Sequence, residues 1–490
     1  NGPEVYATIF SVAPGKRDIN VIWTGSDDGL VHVTRDGGKT WSNVTPPEMP
    51  EFGRVSQIDA SAFSSATAYL SVRRPLLDDR APYIFRTTDF GRTWTRIVAG
   101  IRPDAYVHAV REDPLRPGLL YAATQHGVYL SYDDGASWQP LNLNLPDVPV
   151  SDLIVEKNEL VIGTHGRGFW VLDNIAPIRQ ATPSVLAADL SVFRPPVAVR
   201  SGPTVVLSWR LAAPAKESRL EVLDSAGAVV RTYRPDTLTR AARDSVGAGE
   251  EGFRRRAGPF MPNESGVNRL AWDLRSEGAT TFPGMILWGA GTSGPVVPPG
   301  RYTVRVTADE RVASAPMVVT RNPRITDVTD ADLHAQYAFS RRVRDKVSEA
   351  NDAVVAIRRV KAQLEDRLKA SDDPRLRAAG GTLVERASQV EGNIYQVRNR
   401  SGQDPLNFPI KVNNRLANLM SMAERGDGRP TTNMPEIFRI LSTELRGYTD
   451  RLAEIWATEL EAVNAELARL RLVPLDPKCP KVAGCGGNIS

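Results

Sequence analysis

The sequence predicts a partial β-propeller of three to four blades, followed by a β-sandwich and an antiparallel helical bundle. Three observations predict this fold class. A short motif recurs in the first third of the chain, closely spaced strand patterns follow over about 200–321, and apolar residues then recur at helical spacing to about residue 472. A chain of 490 residues is also too long for one hydrophobic core, so several domains are expected.

The recurring motif has the pattern Ser/Thr-x-Asp-x-Gly-x-Thr/Ser-Trp. Its copies begin at Thr34, Thr87 and Ser131, which are 53 and 44 residues apart. This spacing is typical of the four-stranded sheets, or blades, of a β-propeller. The motif therefore predicts one hairpin per blade at a fixed position.

Each residue type in the motif has a structural role. A carboxylate can bind backbone N–H groups in a hairpin turn, Gly accepts positive φ, and Trp begins the outer strand and can be buried between blades. A catalytic site needs one set of functional side chains, whereas this motif occurs three times. Its residues are therefore predicted to be structural. They are Asp36, Gly38 and Trp41; Asp89, Gly91 and Trp94; and Asp133, Gly135 and Trp138.

The three copies resemble the Asp-box (BNR) repeats of sialidases, sortilin-type receptors and large secreted bacterial proteins labelled "glycosyl hydrolase". The likeness is strongest to the last group, whose propellers are sortilin-like. Further stretches resemble the segment that closes the propeller of that group and its downstream regions: 163–174, 268–275, 299–306 and 396–407. The resemblance implies six or more blades and a secreted, periplasmic or cell-surface location. It identifies a fold more specifically than an activity.

The strand pattern assigns residues 1–174 to the last blades of a propeller. Three blades are expected over about 5–44, 55–98 and 106–141, and a fourth unit over 152–172 has three strands and no box. An isolated arc of blades would expose sheet faces and an edge strand. We therefore expect a preceding propeller segment, in the same protein or in a cleaved chain, as a partner of this one.

Residues 175–199 contain four prolines and no periodicity, which predicts a surface linker. Short alternating strands then predict an immunoglobulin- or fibronectin-like β-sandwich over 200–321. Two Gly-rich stretches, 241–258 and 278–299, are expected to be long loops that pack on the propeller, with partner binding as the alternative.

Residues 322–472 have the apolar spacing of a helical bundle. Thr329 and Asp332 form a capping-box-like start, and further helices are expected over about 374–398, 409–425 and 435–472. The apolar stripes are predicted to be core, with homo-oligomerisation through the bundle as the alternative. In the tail, 473–490, the spacing of Cys479 and Cys485 allows a small loop disulfide, which suits an oxidising compartment.

Composition excludes several function classes. The net charge of +4 is small for this length. The sequence also lacks a basic run with interleaved aromatic residues, the pattern that would indicate nucleic-acid binding. No apolar stretch is long enough to cross a bilayer. The sequence contains no phosphate-binding Gly loop, zinc motif or EF-hand, so neither a cofactor nor a metal is expected.

Candidate ligand-binding residues come from propeller geometry. Loops between the second and third strands of each blade emerge on the face opposite the Asp boxes. Those loops hold Asp27, Asp28, Arg73, Arg74, His126, His165 and Arg167. The two histidines occupy matching positions in successive blades, where they could converge on an anion, a metal or a glycan. The alternative is that they are hydrogen-bonded turn residues.

Two functions remain open from the sequence. The first is an extracellular or cell-surface binding or scaffolding protein that uses this face to bind a protein, peptide or glycan. The alternative is a secreted glycoside hydrolase whose catalytic residues lie mainly in blades outside this chain. The sialidase Phe/Tyr-Arg-Ile-Pro motif is absent, and no sequence pattern nominates the paired carboxylates of a glycosidase, so catalytic residues are not assigned.

Overall fold

The structure is a computed structural model that describes residues 7–202, 204–235 and 261–478. The chain divides into two compact units, residues 1–186 and residues 187–490. The regular structure is mainly β-sheet up to Thr320 and helical after it, which confirms the predicted fold class at that level.

The first unit contains four antiparallel sheets, each with its strands in chain order. Sheet A has β1 Ile9–Pro14, β2 Ile22–Ser26, β3 Val31–Thr34 and β4 Ser42–Asn43; sheet B has β5 Arg54–Ala60, β6 Ala68–Arg74, β7 Asp79–Thr87 and β8 Thr95–Arg96; sheet C has β9 Val107–Glu112, β10 Leu120–Thr124, β11 Gly127–Ser131 and β12 Gln139–Pro140; sheet D has β13 Val150–Glu156, β14 Glu159–Thr164 and β15 Phe169–Leu172. Short helices occupy Pro75–Leu77 and Ala176–Gln180.

Successive sheets pack against one another through their first strands. Strand β5 contacts β1 and β2, β9 contacts β5 and β6, and β13 contacts β9 and β10. The inner strands of sheet C, Leu120–Thr124 and Gly127–Ser131, are buried at every residue, as expected for strands covered on both faces. Side chains also bond between sheets, because the amide of Val110 donates to Gln57 Oε1 at 3.0 Å.

Each Asp box closes the hairpin between the third and fourth strands. In sheet A, Asp36 Oδ1 accepts from the Thr40 amide at 2.9 Å and Asp36 Oδ2 accepts from the Thr40 hydroxyl at 2.6 Å. The Gly38 amide, at φ 94°, donates to the Thr34 hydroxyl at 2.9 Å. The same bonds recur around Asp89 and Asp133. In each box the carboxylate therefore binds the residue four positions further along the chain.

The box tryptophans differ in burial. Trp94 Nε1 donates to the carbonyl of Val44 in the preceding sheet at 2.7 Å, and Trp138 Nε1 donates to that of Ile97 at 2.9 Å. Trp138 is 5% exposed, whereas Trp41 is 43% exposed and donates only to Gly38 within its own box.

The strand that follows each Asp box is short. The first strand begins at Ile9, and the outer strands are only two residues long. The reason is that the Asp box holds its own backbone in a turn, so the ladder resumes only after the Trp.

The second unit begins with two β-sheets. The three-stranded sheet has the order β16-β18-β21 and the five-stranded sheet has the order β17-β23-β22-β19-β20. Trp209 and Trp272 are fully buried in the core of this β region. Its strands are β16 Leu190–Phe193, β17 Ala198–Val199, β18 Val205–Leu211, β19 Ser218–Leu223, β20 Val229–Tyr233, β21 Gly266–Trp272, β22 Gly300–Ala308 and β23 Arg311–Thr320.

The segment predicted to be a linker, 175–199, differs from that expectation. It contains the short helices Ala176–Gln180 and Pro183–Ala187 and the strands β16 and β17. Strand β16 pairs with β18, and β17 pairs in parallel with β23 across more than 100 residues of chain. Strands this short show no measurable period, and their pairing depends on distant partners.

The C-terminal region consists of helices packed around one apolar core. Its helices are Asp330–Ala370, Pro374–Ile394, Val412–Ala423, Met434–Ile455 and Glu461–Arg469, with a 3-10 turn at Asp404–Leu406 and a π-helical turn at Trp456–Leu460. The expected capping box is present, since the Asp332 amide donates to the Thr329 hydroxyl and Asp332 Oδ2 accepts from the Thr329 amide. Two residues of the predicted apolar stripe, Ile437 and Ile440, are exposed.

The loop over 278–299 packs on these helices. Trp288 exchanges backbone bonds with the side chain of Asn414, and the amide of Ile286 donates to the Tyr395 hydroxyl at 3.1 Å. This loop was expected to pack on the first unit, and its contacts with the helices were not predicted. The other predicted loop, 241–258, and the cysteines Cys479 and Cys485 lie outside the described residues.

Candidate functional site

The candidate site lies at the end of the sheets opposite the Asp boxes. First and second strands are antiparallel, so the start of each first strand lies beside the end of its second strand. The turns between second and third strands emerge at the same end. The site is therefore built from the starts of β5 and β9 and the end of β6.

Two arginines face each other at this end of sheet B. Arg54 begins β5 and is the register partner of Arg73 near the end of β6. Directly opposed like charges destabilise a sheet unless something else compensates them. The Arg54 guanidinium lies 4.3 Å from the centre of the Phe10 ring, and no carboxylate among the described residues forms an ion pair with either arginine.

His108 joins this pair from sheet C. Arg73 Nη1 donates to His108 Nδ1 at 2.9 Å, and because a guanidinium only donates, His108 must carry its proton on Nε2. His108 Nε2 is buried and has no hydrogen-bond partner among the described residues. The Tyr106 ring covers one side of the imidazole, with ring centres 5.1 Å apart. The Nε2 N–H therefore makes no normal hydrogen bond, although the side chain of Gln125 lies near enough to raise the pKa of His108.

Electrostatics in the cluster favour a negatively charged ligand. Burial, with the neighbouring Arg73, lowers the pKa of His108 to about 4, so the ring is neutral at pH 7. Burial and the charge of Arg54 also lower the pKa of Arg73. Arg73 is therefore a half-buried positive charge that lies beside a second arginine and has no carboxylate partner among the described residues. We call Arg54, Arg73, Tyr106, His108 and His165 the basic cluster.

His165 stands at the edge of this cluster. It lies in the turn after β14, is exposed, and is close enough to disfavour a positive charge on His108. Its amide donates to the carbonyl of Pro149 at 2.9 Å. Arg167, two residues on, is also exposed, and its amide donates to the Thr164 hydroxyl at 3.1 Å.

Three other predicted residues form hydrogen bonds or ion pairs outside the basic cluster. Asp27 Oδ1 accepts from the Thr8 amide at 2.8 Å, and Asp28 accepts from the Ser26 hydroxyl. Arg74 forms an ion pair with Asp79 at 3.3 Å. The structure does not place these three side chains in the basic cluster.

His126 belongs to an acidic environment instead. Its Nδ1 lies 2.9 Å from Asp147 Oδ1 and its Nε2 lies 3.8 Å from Asp104 Oδ2. Arg102 binds Asp104 with two bonds of 2.6 and 2.7 Å and lowers the pKa of that carboxyl. His126 and His165 therefore have different neighbours, although their positions in the sequence repeat match.

Sequence reasoning missed three members of the cluster, Arg54, Tyr106 and His108. The available signal was position: all three lie at the starts of first strands, which pack against each other where successive sheets meet.

Buried carboxylates lie at the other end of the same strands. Asp59 is 3% exposed and its Oδ2 accepts from the Glu112 amide at 3.0 Å. Glu112 Oε2 accepts from the Ser61 hydroxyl at 2.6 Å, and burial raises its pKa. Lys16 Nζ lies 2.9 Å from Asp59 Oδ1. These bonds connect neighbouring sheets, so the pair is occupied structurally.

Two other kinds of feature are absent from the part of the chain that the structure describes. No group of His, Cys, Asp or Glu is arranged to hold a metal ion. No helix carries an apolar stretch long enough to cross a bilayer.

Comparisons with known proteins give weak similarities. No protein-family model and no curated protein sequence matches this chain. Among solved structures, YCF48 from Cyanidioschyzon merolae is 19% identical, with 34% of this chain and 54% of that chain covered and a TM-score of 0.27. PorZ, a surface component of the type-IX secretion system of Porphyromonas gingivalis, is 15% identical over 64% of this chain and 39% of that one, with a TM-score of 0.29.

A GH74 xyloglucanase from Xanthomonas campestris is also similar, with 15% identity, 61% of this chain and 53% of that chain covered, and a TM-score of 0.27. The matches thus span about half or less of each of these three chains. Because the TM-scores are low, the function proposed below depends on the contacts of this chain itself.

Proposed function

We propose that this chain is part of an extracellular or cell-surface binding protein whose ligand docks at the basic cluster. In this proposal, sheets A–D are successive blades of a β-propeller, since each is a four- or three-stranded meander and successive first strands adjoin. The two sheets of the second unit form a sandwich of immunoglobulin or fibronectin type.

The observation that carries the proposal is the Arg54–Arg73–His108 arrangement. Two opposed guanidinium groups without a carboxylate, beside an imidazole N–H that makes no normal hydrogen bond, match an anionic group that accepts several hydrogen bonds. The ligand is therefore a protein, peptide or glycan that presents a carboxylate or sulfate to this face.

A secreted glycoside hydrolase remains the alternative function. A retaining glycosidase needs two carboxylates, one of them an acid with a raised pKa. Glu112 has a raised pKa, but it is 5% exposed and bonded between sheets at the end away from the cluster. This placement favours binding over hydrolysis for the described residues.

In the same proposal, a further propeller segment covers sheet A. The exposed apolar side chains Ile9, Phe10, Val12 and Trp41 lie on that sheet. The equivalent surfaces of sheets B and C are covered, because Trp94 and Trp138 pack on the sheet before them.

The test is a binding titration with a fluorescent poly-glutamate peptide, with a poly-lysine peptide as the charge control. We expect the acidic peptide to bind and the double substitution Arg54→Gln with Arg73→Gln to weaken it at least about tenfold, because two charge-assisted bonds are lost. Arg80→Gln is the matched control, since Arg80 lies at the same end of sheet B but is 68% exposed. Equal affinities for all three proteins would contradict the proposal.

A further inference from the structure

A polar cavity in the second unit has no role in the proposed binding site. It has a volume of about 470 Å³ and lies where the β region meets the turn after the helix Val412–Ala423. Its walls come from the start of β18, the end of β21 and residues 424–427. A cavity of this size is in the range that binds small molecules.

Two ion pairs hold the walls together. Arg200, 2% exposed, pairs with Asp427, and it also donates to Gln336 Oε1 at 2.7 Å. Arg275 Nη1 lies 2.7 Å from Glu424 Oε2. Both pairs join a strand end to the same turn, so the cavity is built by buried charges rather than left by loose packing.

One atom in this wall is unsatisfied. The Asp427 side chain is 4% exposed, and its Oδ2 is buried without a hydrogen-bond partner among the described residues. A buried acceptor without a partner costs about 1–3 kcal/mol, so a donor from a bound molecule would stabilise the site.

The remaining lining defines the kind of molecule. Three arginines and three carboxylates line the cavity, so its formal charge is balanced: Arg200, Arg275, Arg425, Asp273, Glu424 and Asp427. A cavity wall with equal numbers of positive and negative side chains does not favour a highly charged ligand of either sign. Alternating donors and acceptors suit neighbouring hydroxyl groups, and the apolar side chains Leu274, Val296 and Ile325 suit a C–H face.

We propose that this cavity binds a neutral polyhydroxylated small molecule, of the size of a mono- or disaccharide. One hydroxyl of the ligand donates to Asp427 Oδ2, and the exposed guanidinium of Arg425 donates to another. The site is separate from the basic cluster, and it requires neither the propeller nor its ligand.

The cavity is testable through two glycines in one turn. An added side chain at Gly426, which lines the cavity, or at Gly428, which does not, meets no atom within 4 Å, and neither glycine has a positive φ. Gly426→Phe therefore adds a bulky side chain at the cavity wall without a clash at its Cβ, while Gly428→Phe adds the same side chain outside the cavity lining. Isothermal titration calorimetry on the full chain would use glucose, maltose and myo-inositol, with lysine and citrate as charged probes.

We expect saturable binding of at least one neutral probe, loss of that binding by at least about tenfold in Gly426→Phe, and no change in Gly428→Phe. Asp427→Asn provides a second variant, with Asp352→Asn on the exposed helix surface as its control, and we expect an affinity loss of about tenfold from it. The proposal is overturned if no neutral probe binds, if Gly426→Phe binds as well as the unchanged protein, or if only lysine or citrate binds.

Discussion

Arg73 Nη1 lies 2.9 Å from His108 Nδ1, across the junction between two sheets that are formed by separate stretches of chain. This bond fixes the tautomer of His108 and points its remaining N–H away from Arg73. It also places a guanidinium beside an imidazole, a pairing that is stable only while the imidazole is neutral. The bond therefore couples the protonation of His108 to whatever occupies the basic cluster.

The stability of the first unit should depend on His108 below neutral pH. The pKa of His108 is about 4 in the folded chain and about 6.5 when unfolded, so the unfolded chain takes up a proton first as the pH falls. The contribution of His108 is complete above about pH 6.5 and is lost progressively between about pH 6.5 and 4. Thermal unfolding against pH should show this slope, and His108→Gln should remove it. An NMR titration that finds an ordinary pKa for His108 would contradict this prediction.

Anion binding should be coupled to proton uptake at the same residue. A bound carboxylate or sulfate favours the charged imidazole and so raises the pKa of His108. We expect the acidic peptide to bind more tightly at pH 5 than at pH 7, and this gain to disappear in His108→Gln. A pH-independent affinity in the unchanged protein would show that His108 does not take part.

Acid should also weaken the Asp boxes. The amide and hydroxyl of Thr93 hold the pKa of Asp89 below its ordinary value, so Asp89 stabilises the fold above its unfolded pKa of about 3.9 and loses that effect as the pH falls through its folded pKa. We expect Asp89→Asn to lower the melting temperature at pH 7 and to reduce the acid dependence. Asp78→Asn, at a side chain that is 94% exposed, is the control and should change neither.

Substitution of the box Trp should reduce stability by different amounts in the first and the third Asp box. Trp138→Ala removes a buried indole that bonds to Ile97, and we expect a loss of about 3–5 kcal/mol in the free energy of unfolding. Trp41 is 43% exposed, so Trp41→Ala should cost about 1 kcal/mol or less. Urea unfolding would measure both, and equal losses would mean that Trp41 is covered in solution.

The capping box should stabilise the longest helix. Thr329→Ala removes the hydroxyl that accepts from the Asp332 amide, and we expect a loss of about 1 kcal/mol for the second unit. Thr382→Ala is a suitable comparison, because the Thr382 hydroxyl bonds only to a carbonyl within its own helix. Chemical denaturation would measure both, and the prediction fails if the two substitutions have the same effect.

Parts of this architecture could be predicted from local sequence because local physics decides them. The Asp-box hairpins depend on bonds between residues at most four apart, such as Asp36 with Thr40, so the motif contains all the partners it needs. The helix that begins at Asp330 is similar, since its cap lies within four residues and its apolar stripe repeats with the helical period.

Other parts could not be predicted because their partners are far apart in the chain. Strand β17 is two residues long and exists through its pairing with Val319 and Thr320. Arg73 is half-buried and was predicted from its loop alone, but the residues that it meets, Arg54 and His108, lie 19 and 35 residues away.

The sequence by itself determined the repeated hairpins, the helical region and the end of the sheets at which a ligand is expected. Only the tertiary structure decided which side chains meet there, and it separated His126 from His165 although their repeat positions match. The physical reason is that backbone turns are set by neighbours in sequence, whereas charge, burial and hydrogen bonding at a site are set by neighbours in space.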